Sequence, residues 1–180
     1  MTRSNHQILV VGVGNVLQGD DGFGVELANR LMQRNDIPET VNIIETGIGG
    51  MTIVQELMLG YQALLILDAY KNNGQPGQLY LLEPVIPDLS HLEPHELRDY
   101  FSDTHYATPM RALNLLAHVG ELPKTINIVG CEPEKIDDMK LGLSEAVIEA
   151  VPKAEKMVDD WISKMMDSLT NNSNSVANGE

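Results

Sequence analysis

Short apolar runs alternate with segments of helical periodicity along this chain, and that alternation narrows its possible folds more than any other feature. Ile8 to Val13 is β-branched, apolar and followed by glycine, so it reads as a buried strand. Gly22 to Arg34 carries Phe23, Val25, Leu27, Ala28, Leu31 and Met32, largely on one helical stripe, with Asp20 or Asp21 as a natural N-cap. Val41 to Glu45 predicts a second strand, Gly47-Ile48-Gly49-Gly50 a loop, Met51 to Met58 a helix and Ala63 to Asp68 a third strand. Asn72-Asn73-Gly74-Gln75-Pro76-Gly77 marks a turn, and the short connection favours an antiparallel strand over Gln78 to Leu82. Three prolines make Pro84 to Pro94 irregular. Pro109 to Val119 is helical and Thr125 to Cys131 is a strand. Leu143 to Met166 holds the last helix or helices, with Pro152 as an interruption or a first-turn residue. Strands alternating with helices predict an α/β sandwich with a mostly parallel sheet.

The length of 180 residues fits one domain, expected over 1–167. The remainder, 168–180, contains Asn171-Asn172-Ser173-Asn174-Ser175 and no apolar stripe, and is expected to be a disordered tail. Cys131 is the single cysteine, which excludes an intramolecular disulfide and fits a reducing compartment. The net charge of −14 repels phosphate backbones and argues against nucleic-acid binding. Met1 to Gln7 is polar, and no apolar run approaches the roughly 20 residues of a membrane span, so a soluble, cytoplasmic protein is expected.

In an open α/β sheet, ligands bind at the carboxyl ends of the strands. Asp21 follows the first strand and Asp68 ends the third, so both belong to that edge. Gly12-Val13-Gly14 resembles the start of a dinucleotide fingerprint, but the third glycine position holds Leu17, and no Gly-Lys-Ser/Thr follows. Asp20 and Asp21 stand where a phosphate would meet the helix N-terminus; two carboxylates there repel phosphate and attract a cation. Capping accounts for one of these acids, which leaves the other for a metal-linked role. His105 lies in a loop before the helix at Pro109. Two carboxylates and an imidazole form a hard-to-borderline set for a divalent transition metal. The competing pair His91 and His95 has i,i+4 spacing, but Pro94 lies between them. His118 falls near a helix C-terminus, where structure explains it, and Cys131 reads as a buried strand cysteine. No Gly-x-Ser-x-Gly elbow supports a serine hydrolase.

Taken together, these segments resemble the nickel–iron hydrogenase maturation endopeptidases, over about residues 8 to 162. The most specific piece is Gly12-Val-Gly-Asn-Val-Leu-Gln-Gly-Asp-Asp-Gly-Phe-Gly24. Gly47-Ile-Gly-Gly50, Leu67-Asp68-Ala69, Thr104-His105 with Pro109 and Asn114, and Val129-Gly130 with Pro133 follow in order. Glu45 departs from the pattern, since an Asp is common before the glycine-rich loop. The resemblance implies a three-layer sandwich, a twisted five-stranded sheet with helices on both faces. It implies a peptidase that trims the C-terminal extension of a hydrogenase large-subunit precursor. Asp21, Asp68 and His105 are then the catalytic and metal-contacting residues. The metal is nickel supplied by the precursor, and no tightly bound metal of the protein's own is expected. The same ligands would serve a non-catalytic chaperone that senses nickel in the precursor, and Gly12-Val-Gly14 leaves a nucleotide-binding regulator as a third reading.

Overall fold

The computed structural model describes residues 7–89, 91–93, 95–97, 108–136 and 139–177, without the side chains of 172–177. Strand β1 spans Ile8–Val13, and all six of its residues are buried. A single 3₁₀ turn, Gly19–Gly22, leads into helix α1, Phe23–Met32. Strand β2 (Val41–Gly47), helix α2 (Gly50–Leu57) and strand β3 (Ala63–Ala69) follow. Strand β4 (Leu79–Leu82), helix α3 (Pro109–Val119), strand β5 (Thr125–Cys131) and helix α4 (Glu145–Ala177) complete the order.

The five strands form one sheet in the order β2-β1-β3-β5-β4. β1 pairs in parallel with both β2 and β3, and β3 pairs in parallel with β5. β4 is antiparallel, as its short connection predicts, but its partner is β5 rather than β3. Seven-residue β5 pairs along the whole of β3, so the turn after β3 must carry β4 past it to the sheet's edge.

Alternation along the central strands builds two cores. Ile8 and Val10 of β1 and Leu65 and Leu67 of β3 face α1 and α4, and pack with Phe23, Leu27, Val151 and Trp161. Leu9, Val11, Leu64 and Ile66 face α2 and α3, and pack with Ile53, Leu57, Leu113 and Leu116. Continuous apolar strands are what a parallel sheet covered on both faces requires. The result is the α/β sandwich expected from the alternation, with the three layers that the resemblance implies.

The helix over Pro109 to Val119 and the strand over Thr125 to Cys131 are found with those bounds. Two expectations change. Pro152 neither interrupts nor starts a helix; it lies inside α4, on an exposed position. The segment from Ser168, expected to lack structure, continues α4 as helix to Ala177. Leu169 provides a reason the composition concealed, since it packs partly buried against the α1–α4 core. No helix among the described residues is long and apolar enough to cross a membrane.

Candidate active site

Sheet order decides where a ligand can enter. From β1 the chain crosses to β2 on one side and then to β3 on the other, so the β1/β3 junction is a topological switch point. Crossover segments part there and leave a crevice beyond the carboxyl ends of the strands. A cleft of about 290 Å³ occupies this place. Val13, Gly14 and Asp21 line it from the β1 side; Gly47, Ile48, Gly50 and Ile53 from β2 and α2; Asp68 from β3; and Thr108 and Pro109 from the start of α3.

Asp21 reaches the cleft from the 3₁₀ turn, and its Oδ2 accepts the Asn15 backbone N–H at 2.8 Å. Gly14 has φ 129°, a conformation side chains avoid, and its N–H donates to the Gly47 carbonyl at 3.0 Å. That bond ties the loop after β1 to the loop after β2. Gly24, in the first turn of α1, sits so close to the carbonyls of Leu67 and Val13 that a Cβ would collide with both. The glycines of the first motif therefore serve close packing of α1 on β1 and β3, which brings Asp21 alongside Asp68.

Asp68 is the penultimate residue of β3. Burial, and then the negative charge of Asp21, push its carboxyl up to about 7, against the opposing pull of the Ala69 N–H. Two carboxylates in a partly desolvated cleft cannot both ionise freely; a shared proton or a bound cation relieves the repulsion. Hard oxygen donors at an open cleft fit a divalent cation. No set of three or more His, Cys, Asp or Glu side chains forms a metal cluster among the described residues. Those residues supply two donors and leave further coordination positions open. His105 lies outside the described residues; Thr108, three positions on, lines the cleft.

The other candidates fall elsewhere. Asp20 is not an N-cap and not a cleft residue. It is buried, and it accepts the N–H groups of Glu134 (2.8 Å), Lys135 (3.2 Å) and Ser144 (2.6 Å) and the Ser144 hydroxyl (2.9 Å). Burial alone would raise its pKa, but the Ser144 donors and the Lys135 and Glu134 N–H groups together hold it below the usual carboxylate value. Neither the 3₁₀ turn nor α1 has a side-chain cap. His91 and His95 are exposed and do not line the cleft. His118 Nδ1 lies 3.0 Å from the Asn114 carbonyl oxygen within α3. Cys131 is buried, and burial, with the charges of Asp20 and Glu132, pushes its thiol up to about 12, which rules out a thiolate nucleophile near neutral pH.

Residues 25–161 match the family model described as hydrogenase maturation protease, three quarters of the chain. The chain belongs to this family. A putative hydrogenase maturation protease of Methanocaldococcus jannaschii is 31% identical over 87% of this chain and 97% of its own length. The hydrogenase 2 maturation protease of Escherichia coli K12 is 30% identical over 91% of this chain and 90% of its own. Among solved structures, the hydrogenase maturating endopeptidase HybD from E. coli superposes with a TM-score of 0.70 at 26% identity, covering 88% of this chain and 93% of that one. As a hydrogenase maturation protease, the chain is a peptidase whose candidate site is the two-carboxylate cleft. Ile48 and Thr108 are cleft residues that sequence reasoning passed over. A large apolar residue set among Gly47, Gly49 and Gly50 was the available signal for the first, and a threonine before Pro109, the N-cap pattern, for the second.

Proposed function

We propose that this chain removes the C-terminal extension from the large-subunit precursor of a nickel–iron hydrogenase after nickel insertion, with Asp21, Asp68 and His105 meeting the precursor's nickel. The observation that carries this reading is the convergence of Asp21, from the 3₁₀ turn that follows β1, and Asp68, from the end of β3, on one open cleft in a hydrogenase maturation protease. The nickel is part of the substrate. An open cleft with few ligands suits a metal that is met rather than kept. When bound, the metal polarises the scissile carbonyl or lowers the pKa of a water.

The chain's own part follows from its carboxylates. Asn15 fixes Asp21 in place through its backbone N–H. Asp68 holds a proton part of the time near neutral pH and releases it when a cation offsets Asp21. With the cation in place Asp68 is ionised, a charged ligand beside Asp21 rather than a carboxyl poised near neutral pH. A precursor lacking nickel offers no cation to the pair, so it binds without this contact and is not cleaved, and nickel loading becomes a specificity check. The cytoplasm, where the single thiol stays reduced, is the fitting compartment.

The test combines the purified chain with the nickel-loaded and nickel-free precursors encoded by the same genome, followed by intact-mass measurement. Loss of one C-terminal fragment is expected from the nickel-loaded form alone. Asp21→Asn, Asp68→Asn and His105→Ala are each expected to slow the reaction at least about 100-fold. His91→Ala and His95→Ala should leave it intact. No mass loss with wild-type protein, or full activity of His105→Ala, would overturn the reading.

A further inference from the structure

Four large apolar side chains stand in solvent on two neighbouring loops: Val16 (48% exposed), Leu17 (47%), Met139 (86%) and Leu141 (76%). We propose that they form a docking platform for the hydrogenase large-subunit precursor beside the carboxylate cleft. This inference rests on the precursor being the substrate.

The two loops are fastened together. Lys140 N–H donates to the Leu17 carbonyl at 2.9 Å, Gly19 N–H donates to the Lys140 carbonyl at 2.7 Å, and Gln18 and Lys140 form a parallel bridge. Asp20 adds its bonds to Glu134, Lys135 and Ser144, on both sides of that bridge. Met139 has φ 58°, which a non-glycine residue adopts only when its surroundings hold it there. The apolar side chains are thus presented on a fixed frame, which lowers the ordering cost of binding.

The platform is coupled to the site through one residue. Asn15 Oδ1 accepts the Leu17 N–H at 3.0 Å, while the Asn15 N–H donates to Asp21 Oδ2 at 2.8 Å. None of the four lines the cleft, but the loop that carries Leu17 is tied through Asn15 to Asp21, so a protein seated over the cleft meets that loop next. Exposed apolar groups gathered at such a place mark an interaction surface. A second copy of this chain is a poorer occupant. Each copy carries a net charge of −14, so two copies repel, and a copy seated beside Asn15 would crowd the cleft.

Met139→Ser combined with Leu141→Ser tests the platform, with Met58→Ser combined with Val119→Ser as the control. All four residues are more than half exposed, so thermal midpoints should not move. With nickel-loaded precursor, the platform variant should raise KM about tenfold or more, with kcat changed less than about twofold. Its binding to nickel-free precursor should weaken by the same factor, because the platform does not contact the metal. The control should match wild type. If the platform variant loses its thermal transition, Leu141→Ser alone carries the same expectation. Wild-type KM in the platform variant overturns the platform while leaving the proposed function standing. Failure of the wild type to process the precursor overturns both. A wild-type dimer that the platform variant dissociates reassigns the surface to a second copy and overturns the proposal.

Discussion

The carboxyl of Asp20 accepts four donors from Glu134, Lys135 and Ser144, whereas its neighbour Asp21 accepts the Asn15 N–H and lines the cleft. One acid is spent on holding loops together, and the other faces Asp68. Burial of Asp68, and then its pairing with Asp21, have a measurable consequence. The carboxyl of Asp68 titrates at about 7 in the folded chain against an ordinary 3.8. Between those values the folded state binds more proton than the unfolded state, so Asp68 lowers stability progressively as pH rises from about 4 to about 7, and by a constant amount above that. Asp68→Asn removes this penalty. With a chelator present, its thermal midpoint should exceed wild type by several degrees at pH 8, with the gap closing toward pH 4. At ~1.4 kcal/mol per pKa unit the gain is at most about 4 kcal/mol. A wild-type midpoint at or above the variant's at pH 8 would show that burial and the Asp21 charge do not together strain the Asp68 carboxylate. The placement of Asp21 and Asp68 on the cleft edge was legible, because the ends of β1 and β3 follow from local apolar pattern. The role of Asp20 was not, because its partners lie 114 to 124 positions away, and no local pattern encodes them.

The 3₁₀ turn that carries Asp21 leads straight into helix α1, and Gly24 sets how closely α1 lies on the sheet. A Cβ at Gly24 would strike the backbone carbonyls of Leu67 and Val13, neither of which can yield without moving a central strand. Gly24→Ala should therefore cost about 3 kcal/mol or more through overpacking, and should shift Asp21 away from Asp68. Denaturant unfolding measures the first effect. The second appears as a fall in the Asp68 pKa toward the ordinary value, read by carboxyl NMR. An alanine variant with wild-type stability and an unchanged Asp68 pKa would show that α1 can slide without consequence. At this scale most elements were legible, since β1, β3, β5 and α3 carry strong periodic or continuous apolar signals. The partner of β4 was not, because a turn sequence reports a reversal of direction but not which strand waits beside it.

The sandwich closes when α4 lies over the face formed by Ile8, Val10, Leu65 and Leu67. Polar ties reinforce that closure: Arg34 Nη1 donates to Asp159 at 3.1 Å, and Trp161 Nε1 donates to Asn127 Oδ1 at 2.9 Å. Where the closure ends depends on Leu169. The composition after Ser168 is polar enough to suggest a tail, yet one apolar residue at the right helical spacing from Trp161, Ile162, Met165 and Met166 extends the contact by a turn. Burying a leucine fully is worth about 1.5–3 kcal/mol, so a partly buried one contributes about 1 kcal/mol. A chain ending at Thr170 keeps this contact, and its thermal midpoint should match the full-length protein. A chain ending at Asp167 loses it, and should melt about 2–4 °C lower. Both should process the precursor at the full rate, because Leu169 packs on the core and does not line the cleft. Equal midpoints for the two truncations would mean that the sandwich is already complete at Met166. A loss of activity in either would place part of the substrate contact on the end of α4.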